Sequence, residues 1–346
     1  MDLTGLTISI PKVPQTAVLL ATHNGEEYLS EMLRSLELQS YQDFVCCIHD
    51  DGSTDRTRKI IFDYVVRSPR QFCILDYPAQ GSAKANFLSM LEHVEADYYL
   101  YADQDDVWLP EKINAMMNEM VQLENEEFFI QEESKARVND HTMTVADPTH
   151  TPLLVYSDMI VVDKDMSVIS DSFHRYIGRN PYRLRYQDIL IDNPAAGCSM
   201  MFNRALRNKV IEYTDVSEIE MHDSWTLLLA SLFGIIKYMD APLLCYRQHD
   251  DNEMGAARSE TTGERVRRNL SEIFSGRFFR DKKEFHDRMR KNAHQLLQVS
   301  GLSEETRRTL TEFCDLSKKS KGYRMRFYKD HGFKRQKNDL WFRLTC

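Results

Sequence analysis

The sequence predicts an α/β protein built around a largely parallel sheet, and two observations carry that prediction. Continuous apolar runs such as Ala17–Thr22 and Phe44–His49 alternate with stretches whose apolar residues recur at helical spacing. The runs are apolar at nearly every position instead of every second one, which is typical of strands covered by helices on both faces. With 346 residues, 42% of them hydrophobic, the chain suffices for one large α/β domain with an extension.

The first half of the chain alternates between strand and helix signals at short intervals. The first strand is followed by Asn24-Gly25 and by a helix with Leu29, Met32, Leu33 and Leu36 on one face. The further predicted elements are a helix capped by Ser53 or Thr54, strand Phe72–Asp76, helix Ala83–Val94, strand Tyr98–Ala102, strands Leu153–Asp158 and Gly197–Phe202, helix Asp223–Phe233 and strand Leu243–Tyr246.

Two regions depart from this alternation. Glu124–Thr151 is acidic and poor in apolar residues, which predicts a surface insertion or mobile loop at about 124–152. No strand signal follows Gly263, and helix-spaced apolar residues recur in Arg265–Phe274, Lys283–Val299 and Glu304–Leu316. We therefore predict an α/β domain over residues 1–256 and a helical C-terminal extension over 257–346.

Charge is unevenly distributed between the body and the C-terminus. The net charge is −9, but residues 318–346 hold ten basic against two acidic residues, a net of +8, which leaves −17 elsewhere. Such an acidic body is a poor match for nucleic acid. The basic tail also carries Tyr323, Phe327, Tyr328, Phe333, Trp341, Phe342 and Leu344, a composition that suits an anionic membrane surface; a solvated, frayed terminus is the alternative.

Compartment follows from the cysteines and the apolar runs. The seven cysteines show no C-x-x-C spacing, so we expect free thiols in a reducing compartment. The longest apolar run, Trp225–Ile236, is shorter than a bilayer span, and Met1–Thr16 lacks the apolar core of a signal peptide. The sequence therefore predicts a cytoplasmic protein, with attachment to the inner face of the membrane if the tail binds lipid.

Three polar clusters follow predicted strands, where ligands bind in parallel sheets: Thr22–Gly25, Asp50–Asp55 and Asp103–Asp106. Crowded carboxylates repel one another, and a divalent cation that bridges Asp103 and Asp105 to a diphosphate would relieve that repulsion. Asp106 has a second interpretation as the cap of a helix beginning near Leu109-Pro110. No Gly-x-Gly-x-x-Gly or Gly-Lys-Ser/Thr box occurs, which disfavours nicotinamide-dependent oxidoreductases and P-loop enzymes.

Taken together, these motifs resemble glycosyltransferase family 2, which has the GT-A fold with a mixed, mostly parallel sheet. The resemblance covers roughly Ala17 to Gly255, and its second half is similar to the bacterial rhamnosyltransferase branch. The motifs that carry it are Thr22-His23-Asn24-Gly25, Asp50-Asp51-Gly52-Ser53-Thr54-Asp55, Gly81 with Asn86-Phe87, Ala102–Trp108, Asn193–Asn203, Met221-His222-Asp223-Ser224-Trp225 and Tyr246-Arg247-Gln248-His249 with Asn252 and Gly255.

The resemblance implies a role for each matching position. Thr22, Asn24, Asp51, Asn86, Asp103 and Arg247 would bind the nucleotide-sugar donor, and Asp103, Asp105 and His249 would hold Mg²⁺ or Mn²⁺. Asp223 would be the base that deprotonates the acceptor hydroxyl. His222 stands where many relatives have Glu, and Asp250-Asp251 stands where relatives often have Gly and Asn.

Chemistry agrees with these roles but leaves alternatives open. Inverting glycosyl transfer needs a base on the acceptor side and charge neutralisation on the leaving-group side, from different chain segments. Asp223 alone could be the N-cap of its helix, and His249 alone could be an ordinary histidine.

The leading hypothesis is transfer of L-rhamnose from dTDP-rhamnose to a bacterial surface polysaccharide or lipid-linked precursor. The alternatives are another donor such as a UDP-hexose, or a non-catalytic nucleotide-sugar-binding scaffold.

Overall fold

A computed structural model describes residues 15–68, 71–137, 151–212, 215, 217–249 and 277–336. Its strands within these ranges are β1 (Thr16–Thr22), β2 (Phe44–Asp50), β3 (Phe72–Ile74), β4 (Tyr98–Ala102), β5 (Val107–Trp108), β6 (Leu153–Asp163), β7 (Val168–Ser170), β8 (Met200–Asn203) and β9 (Ile235–Gln248). They form one sheet in the order β3-β2-β1-β4-β8-β6-β9-β5, with β7 paired to β6.

Pairing within the sheet is mixed. Strands β1 to β4 pair with one another in parallel, and β9 runs parallel to β6. Strand β8 is antiparallel to both β4 and β6, and β5 is antiparallel to β9. The predicted mixed, mostly parallel sheet is confirmed, and the parallel strands bring the residues after β1, β2 and β4 to one edge.

Helices cover both faces of the sheet. They are α1 (Leu29–Glu37), α2 (Thr57–Arg67), α3 (Ala83–His93), α4 (Lys112–Arg137), α5 (Phe173–Ile177), α6 (Tyr186–Ile189), α7 (Arg204–Glu212), α8 (His222–Phe233), α9 (Arg277–Leu296), α10 (Glu304–Cys314) and α11 (Lys321–Asp330). In β1, Ala17 and Leu19 face the cluster formed with α3, α7 and α8, whereas Val18 and Leu20 face the one formed with α1, α2 and α4. Both faces are apolar, which explains the non-alternating sequence of the strands.

Several predicted boundaries were wrong. Helix α4 continues to Arg137 through the first part of the predicted acidic insertion, because the Glu, Gln, Lys and Ala residues of this stretch are good helix formers. The remainder of that insertion, 138–150, lies outside the described residues. Neither Ser53 nor Thr54 caps α2; instead Asp55 Oδ1 accepts from the Thr57 amide at 2.9 Å.

The second half differs from its prediction in length more than in kind. Strand β9 has 14 residues where four were predicted, and β6 runs on to Asp163. The predicted strand Gly197–Phe202 is a 3₁₀ turn, Gly197–Ser199, that leads into β8. The buried helix predicted at Asp223–Phe233 is confirmed as α8.

The C-terminal helices belong to the same core as the sheet. Phe327, Tyr328 and Phe333 are buried, and the rings of Phe313 and Phe333 lie 4.9 Å apart. Neither a frayed terminus nor a membrane anchor fits these three aromatic residues, because their side chains already pack inside the protein. Arg265–Phe274, Asp250-Asp251, Asn252, Gly255, Trp341, Phe342 and Leu344 lie outside the described residues.

The described cysteines and helices bear on the predicted compartment. Cys46, Cys47, Cys73, Cys198, Cys245 and Cys314 are free thiols, and the seventh cysteine, Cys346, lies outside the described residues. Among the helices of the described ranges, none combines the length and apolar character needed to cross a bilayer.

Candidate active site

The loop after β1 is tied to its neighbours by side chains that bond backbone. Gln104 Oε1 accepts from the His23 amide at 2.9 Å, and Gln104 Nε2 donates to the His23 carbonyl, also at 2.9 Å. Asn24 has a φ of 47°, and its Oδ1 accepts from the Thr54 amide at 2.8 Å. Thr22 Oγ1 donates to Asp50 Oδ1 at 3.2 Å. Hydrogen bonds therefore connect the loops after β1, β2 and β4 to one another.

Asp51 and Asn86 lie near these connected loops. Asp51 Oδ1 accepts from the amides of Gln80 and Gly81, so its carboxylate holds the loop after β3. Asn86 is buried, and its Oδ1 lies 2.7 Å from His49 Nδ1. The structure thus gives Asp51 a role in shaping the candidate site, and Asn86 a role in fixing the end of β2. Their direct contact with a donor stays a prediction. We use the word cleft for the region between the loops after β1, β2 and β4 and the start of α8.

The acidic loop after β4 concentrates negative charge. Burial, together with the nearby carboxylates of Asp105 and Asp223, raises the pKa of Asp103 to about 7. Asp106 is 1% exposed, and burial followed by repulsion from Asp105 and Asp103 raises its pKa well above the usual range. Acidic side chains at this edge are therefore held in a site that disfavours their charged form.

Asp106 does not cap a helix. Helix α4 begins only at Lys112, and Asp106 Oδ1 accepts from the Arg247 amide at 3.2 Å. Within the described ranges, its other oxygen, Oδ2, is buried and has no hydrogen-bond partner that meets ordinary geometry. The cap interpretation is wrong because Asp106 joins the loop after β4 to β9.

A lysine that the sequence analysis missed lies behind this loop. Lys112 is fully buried, its Nζ donates to the Cys198 carbonyl, and it lies 3.5 Å above the centre of the Trp108 ring. Burial lowers the pKa of Lys112 to about 7, against the opposing attraction of Asp106 and Asp103. A signal existed: a lysine in the first turn of a helix opposes the helix dipole and has to be stabilised by something else.

The end of β9 brings Arg247 and His249 to the acidic loop. His249 Nε2 lies 2.8 Å from Asp105 Oδ2, which agrees with their predicted proximity at a metal site. Arg247 is 2% exposed; its Nε donates to the Asp105 carbonyl at 2.9 Å and one terminal nitrogen pairs with Glu31 at 2.6 Å. Arg247 thus fixes the backbone of the acidic loop through the Asp105 carbonyl, and its contact with a diphosphate stays a prediction.

The predicted metal ligands are only partly brought together at this edge. Asp103, Asp106 and Cys198 have ligand atoms within 4.8 Å of one another. Mg²⁺ and Mn²⁺ prefer oxygen ligands, and this group includes a thiol with Lys112 behind it. Asp103 and Asp105 are only partly buried, and His249 lies beside Asp105. Among the described residues, Asp103, Asp105 and His249 do not form a group of ligand atoms as close as the first one, so their role as metal ligands stays a prediction.

Asp223 lies at the start of α8, far in sequence from the acidic loop. The N-cap residue is Met221, so the N-cap interpretation of Asp223 is wrong. Its carboxylate accepts from the amides of Ser224 and, at 3.2 Å, Gly197. Burial raises the pKa of Asp223 to about 6, although those two hydrogen bonds oppose the shift. A carboxylate with a pKa close to neutrality is suited to take a proton.

The neighbouring His222 is buried beside Asp223. Its ring stacks on Phe87 with 4.1 Å between centroids, and neither ring nitrogen has a hydrogen-bond partner among the described residues. Burial lowers the pKa of His222 to about 3, so the ring is neutral near pH 7. His222 thus adds no charge next to the carboxylate.

The fold and this cleft define a class of α/β protein that binds its ligand at the carboxyl edge of a sheet. The family model "Glycosyl transferase family 2" matches residues 17–208, more than half of the chain. The chain therefore belongs to glycosyltransferase family 2.

Individual relatives agree with this assignment. The chain is 26% identical over 243 residues to the dTDP-rhamnosyl transferase RfbG of Shigella flexneri, covering 68% of this chain and 74% of that one. The crystal structure of S. aureus TarS 1–349 in complex with UDP-GlcNAc is similar with a TM-score of 0.52 and 17% identity, over 88% of this chain and 73% of that one. The structure of TarS 1–349 alone gives a TM-score of 0.50 at 16% identity, over 88% of this chain and 72% of that one. This likeness supports the GT-A fold.

Proposed function

We propose that the protein is an inverting, metal-dependent glycosyltransferase that moves a sugar from a nucleoside-diphosphate donor to an acceptor hydroxyl. The observation that carries the proposal is the placement of two acidic groups from separate segments at one cleft. Asp103 and Asp105 lie on the loop after β4, and Asp223, at the start of α8, is near enough to raise the pKa of Asp103. Inverting transfer needs this division of charge.

Each side of the cleft has its own task. Asp223 accepts the proton of the acceptor hydroxyl as that oxygen attacks the anomeric carbon from the face opposite the leaving diphosphate. Asp103 and Asp105, with His249, would hold the cation, which would supply positive charge to neutralise the leaving diphosphate. The linked loops after β1 and β2 position the nucleoside, and Thr22, Asn24 and Asp51 lie on them.

We propose L-rhamnose as the sugar and dTDP-rhamnose as the donor. Support comes from the rhamnosyltransferase-like motifs around His222-Asp223 and Arg247-Gln248-His249, and from the similarity to RfbG over most of both chains. The same similarity, with matches over shorter segments to proteins named for teichoic and teichuronic acid synthesis, supports a cell-surface glycan or its lipid-linked precursor as the acceptor.

We also propose that the C-terminal tail attaches the protein to a membrane surface, through fewer residues than the sequence alone suggests. Phe327, Tyr328 and Phe333 are buried, so attachment rests on the basic surface residues and on the sequence from Lys337 onward, which includes Trp341 and Phe342. Binding to vesicles that contain anionic lipid should weaken as salt is raised. Binding that salt does not change would contradict the proposal.

Release of the nucleoside diphosphate tests the proposed function. The purified chain is incubated with Mg²⁺, an acceptor extract and each of a panel of donors: dTDP-rhamnose, UDP-glucose, UDP-GlcNAc and GDP-mannose. We expect acceptor-dependent release that is fastest with dTDP-rhamnose. Faster release from a UDP-sugar would replace the sugar assignment, whereas donor binding without release from any of them would support the scaffold alternative.

A further inference from the structure

Lys112 occupies an unusual position for a lysine. It is fully buried at the first residue of α4, where the helix dipole disfavours a cation. Burying an amine costs free energy unless hydrogen bonds or charges compensate, so its contacts show what it stabilises. Those contacts are the Trp108 ring, the Cys198 carbonyl and the electrostatic attraction of Asp103 and Asp106.

The Cys198 carbonyl leads directly to the proposed base. Cys198 is the central residue of the 3₁₀ turn Gly197–Ser199, and the Gly197 amide donates to Asp223 Oδ2 at 3.2 Å. The turn lies tightly against α8, because a Cβ on Gly197 would stand 2.9 Å from His222 Nε2. A shift of the turn would therefore change the hydrogen bond that Asp223 receives.

Lys112 contacts the other half of the cleft as well. Its charge lies close enough to Asp103 and Asp106 for each to act on it electrostatically, and Cys198 Sγ belongs to the same group of atoms within 4.8 Å. One side chain thus joins the acidic loop after β4 to the turn that bonds Asp223. These segments are far apart in sequence and meet where the antiparallel strands β4 and β8 pair, and Lys112 adds a side-chain link at that place.

We propose that Lys112 is a positioning residue that fixes the Gly197–Ser199 turn, and through it Asp223, relative to the acidic loop. The link is the hydrogen bond from Nζ to the Cys198 carbonyl, which an amine donates whether or not it carries a charge. This inference rests on the proposed function, because it assigns Lys112 to the geometry of the base and the metal carboxylates. Because Lys112 is fully buried, it acts on the reaction through the turn and the acidic loop.

The test compares Lys112→Met with Lys209→Met. Lys209 is a matched control: its Nζ donates to the Ser300 carbonyl at 3.2 Å and lies 4.8 Å from the Phe233 ring centre, away from the cleft. Lys112→Met should lower kcat by about tenfold or more, with the Kd for the nucleoside diphosphate, measured by calorimetry with Mg²⁺, within about twofold of wild type. Lys209→Met should leave both unchanged.

A second readout separates positioning from stability. Asp223 faces Glu220 and Asp103, and the Gly197 amide favours its charged form. Displacement of the turn should therefore move the acid limb of the kcat profile to higher pH by about one unit. Wild-type kcat and limb in a folded Lys112→Met protein would overturn the proposal, and so would parallel losses of kcat and nucleotide affinity.

If Lys112→Met does not fold, Gly197→Ala disturbs the same turn from the side of His222. The acid limb should again move to higher pH, and an unmoved limb would overturn the proposal. Asp223→Asn distinguishes failure of this inference from failure of the proposed function. If Asp223→Asn retains full turnover, the assignment of the base is wrong; if it is inactive while Lys112→Met is normal, only the role of Lys112 is wrong.

Discussion

The loops that follow β1 and β2 and the carboxylates that surround the cleft are stabilised in opposite ways. In the loops, Asn24 and Asp51 bond backbone groups of neighbouring segments, and Gln104 reaches from the loop after β4 to bond the His23 backbone, so these polar groups have partners before any ligand arrives. In the cleft, burial raises the pKa values of Asp103 and Asp223, so a proton or cation relieves their charge. The difference indicates that the loops after β1 and β2, together with Gln104, form a preformed binding surface, called the cradle below. Next to the cradle lie Asp103 and Asp223, whose carboxylates are able to take up a cation or a proton.

Removal of the metal should have the largest effect on activity. Excess chelator should abolish turnover, and added Mg²⁺ or Mn²⁺ should restore it, because Asp103 and Asp105 need the cation to hold the diphosphate. Asp105→Asn should lose turnover and metal-dependent donor affinity together. Asp63→Asn, on the exposed face of α2, is the control. Full activity in chelator would remove the contrast between the cradle and the carboxylates.

Shortening a buried side chain in the C-terminal region should lower the stability of the protein and leave its catalytic groups unchanged. Phe333→Ala removes a fully buried ring, which should lower the free energy of unfolding by about 3–5 kcal/mol, as measured by urea denaturation. Tyr323→Ala, at a side chain that is 43% exposed, should change it by less than about 1 kcal/mol. Equal free energies of unfolding for the two variants would contradict the burial of Phe333 in the core and favour the surface tail that the sequence predicts.

Within the cradle, Gly25→Ala should weaken donor binding. A Cβ at Gly25 would lie 2.2 Å from Gln104 Oε1, so the Gln104 side chain has to leave the His23 backbone. We expect the donor Kd to rise about tenfold, because the net free energy of about one hydrogen bond corresponds to a tenfold change in affinity. Gly322→Ala, where the added methyl meets open space, should bind the donor like wild type. Unchanged affinity in Gly25→Ala would show that the cradle is not preformed around Gln104.

The smallest effect concerns pH. Burial raises the pKa of Asp223 above that of an ordinary aspartate, to about 6, and only its deprotonated form accepts a proton. Turnover at saturating donor and Mg²⁺ should thus be constant at higher pH, fall to half near pH 6 and fall about tenfold near pH 5. A profile that stays flat down to pH 5 would show that Asp223 ionises like an exposed carboxylate or is not the base.

Much of the fold follows from the sequence because local pattern and tertiary environment agree. The apolar run Ala17–Thr22 is buried on both faces, as its lack of alternation predicts. Agreement fails in α4, where the acidic stretch up to Arg137 is predicted as an insertion or loop but has the composition of a good helix former. It fails again at Phe327 and Phe333, which pack into the core. Their basic neighbours in sequence lead to the prediction of a surface tail.

The candidate site shows the same division. Asp105, His249 and Asp223 are predicted as site residues because they stand in motifs that resemble those of the family. Gln104 and Lys112 could not be predicted from the sequence, because their roles depend on which backbone groups the fold brings to them. Gln104 bonds the His23 peptide, and Lys112 bonds the Cys198 carbonyl. Such contacts between distant segments leave no spacing pattern in the chain.

The role of Asp223 as the base is the central claim, and Asp223→Asn tests it most directly. The amide keeps the shape and can still accept hydrogen bonds but cannot take a proton. The account predicts that nucleoside diphosphate with Mg²⁺ binds with wild-type affinity, while nucleoside diphosphate release in the presence of acceptor falls by about 10²-fold or more. Wild-type release by a folded Asp223→Asn protein would contradict it.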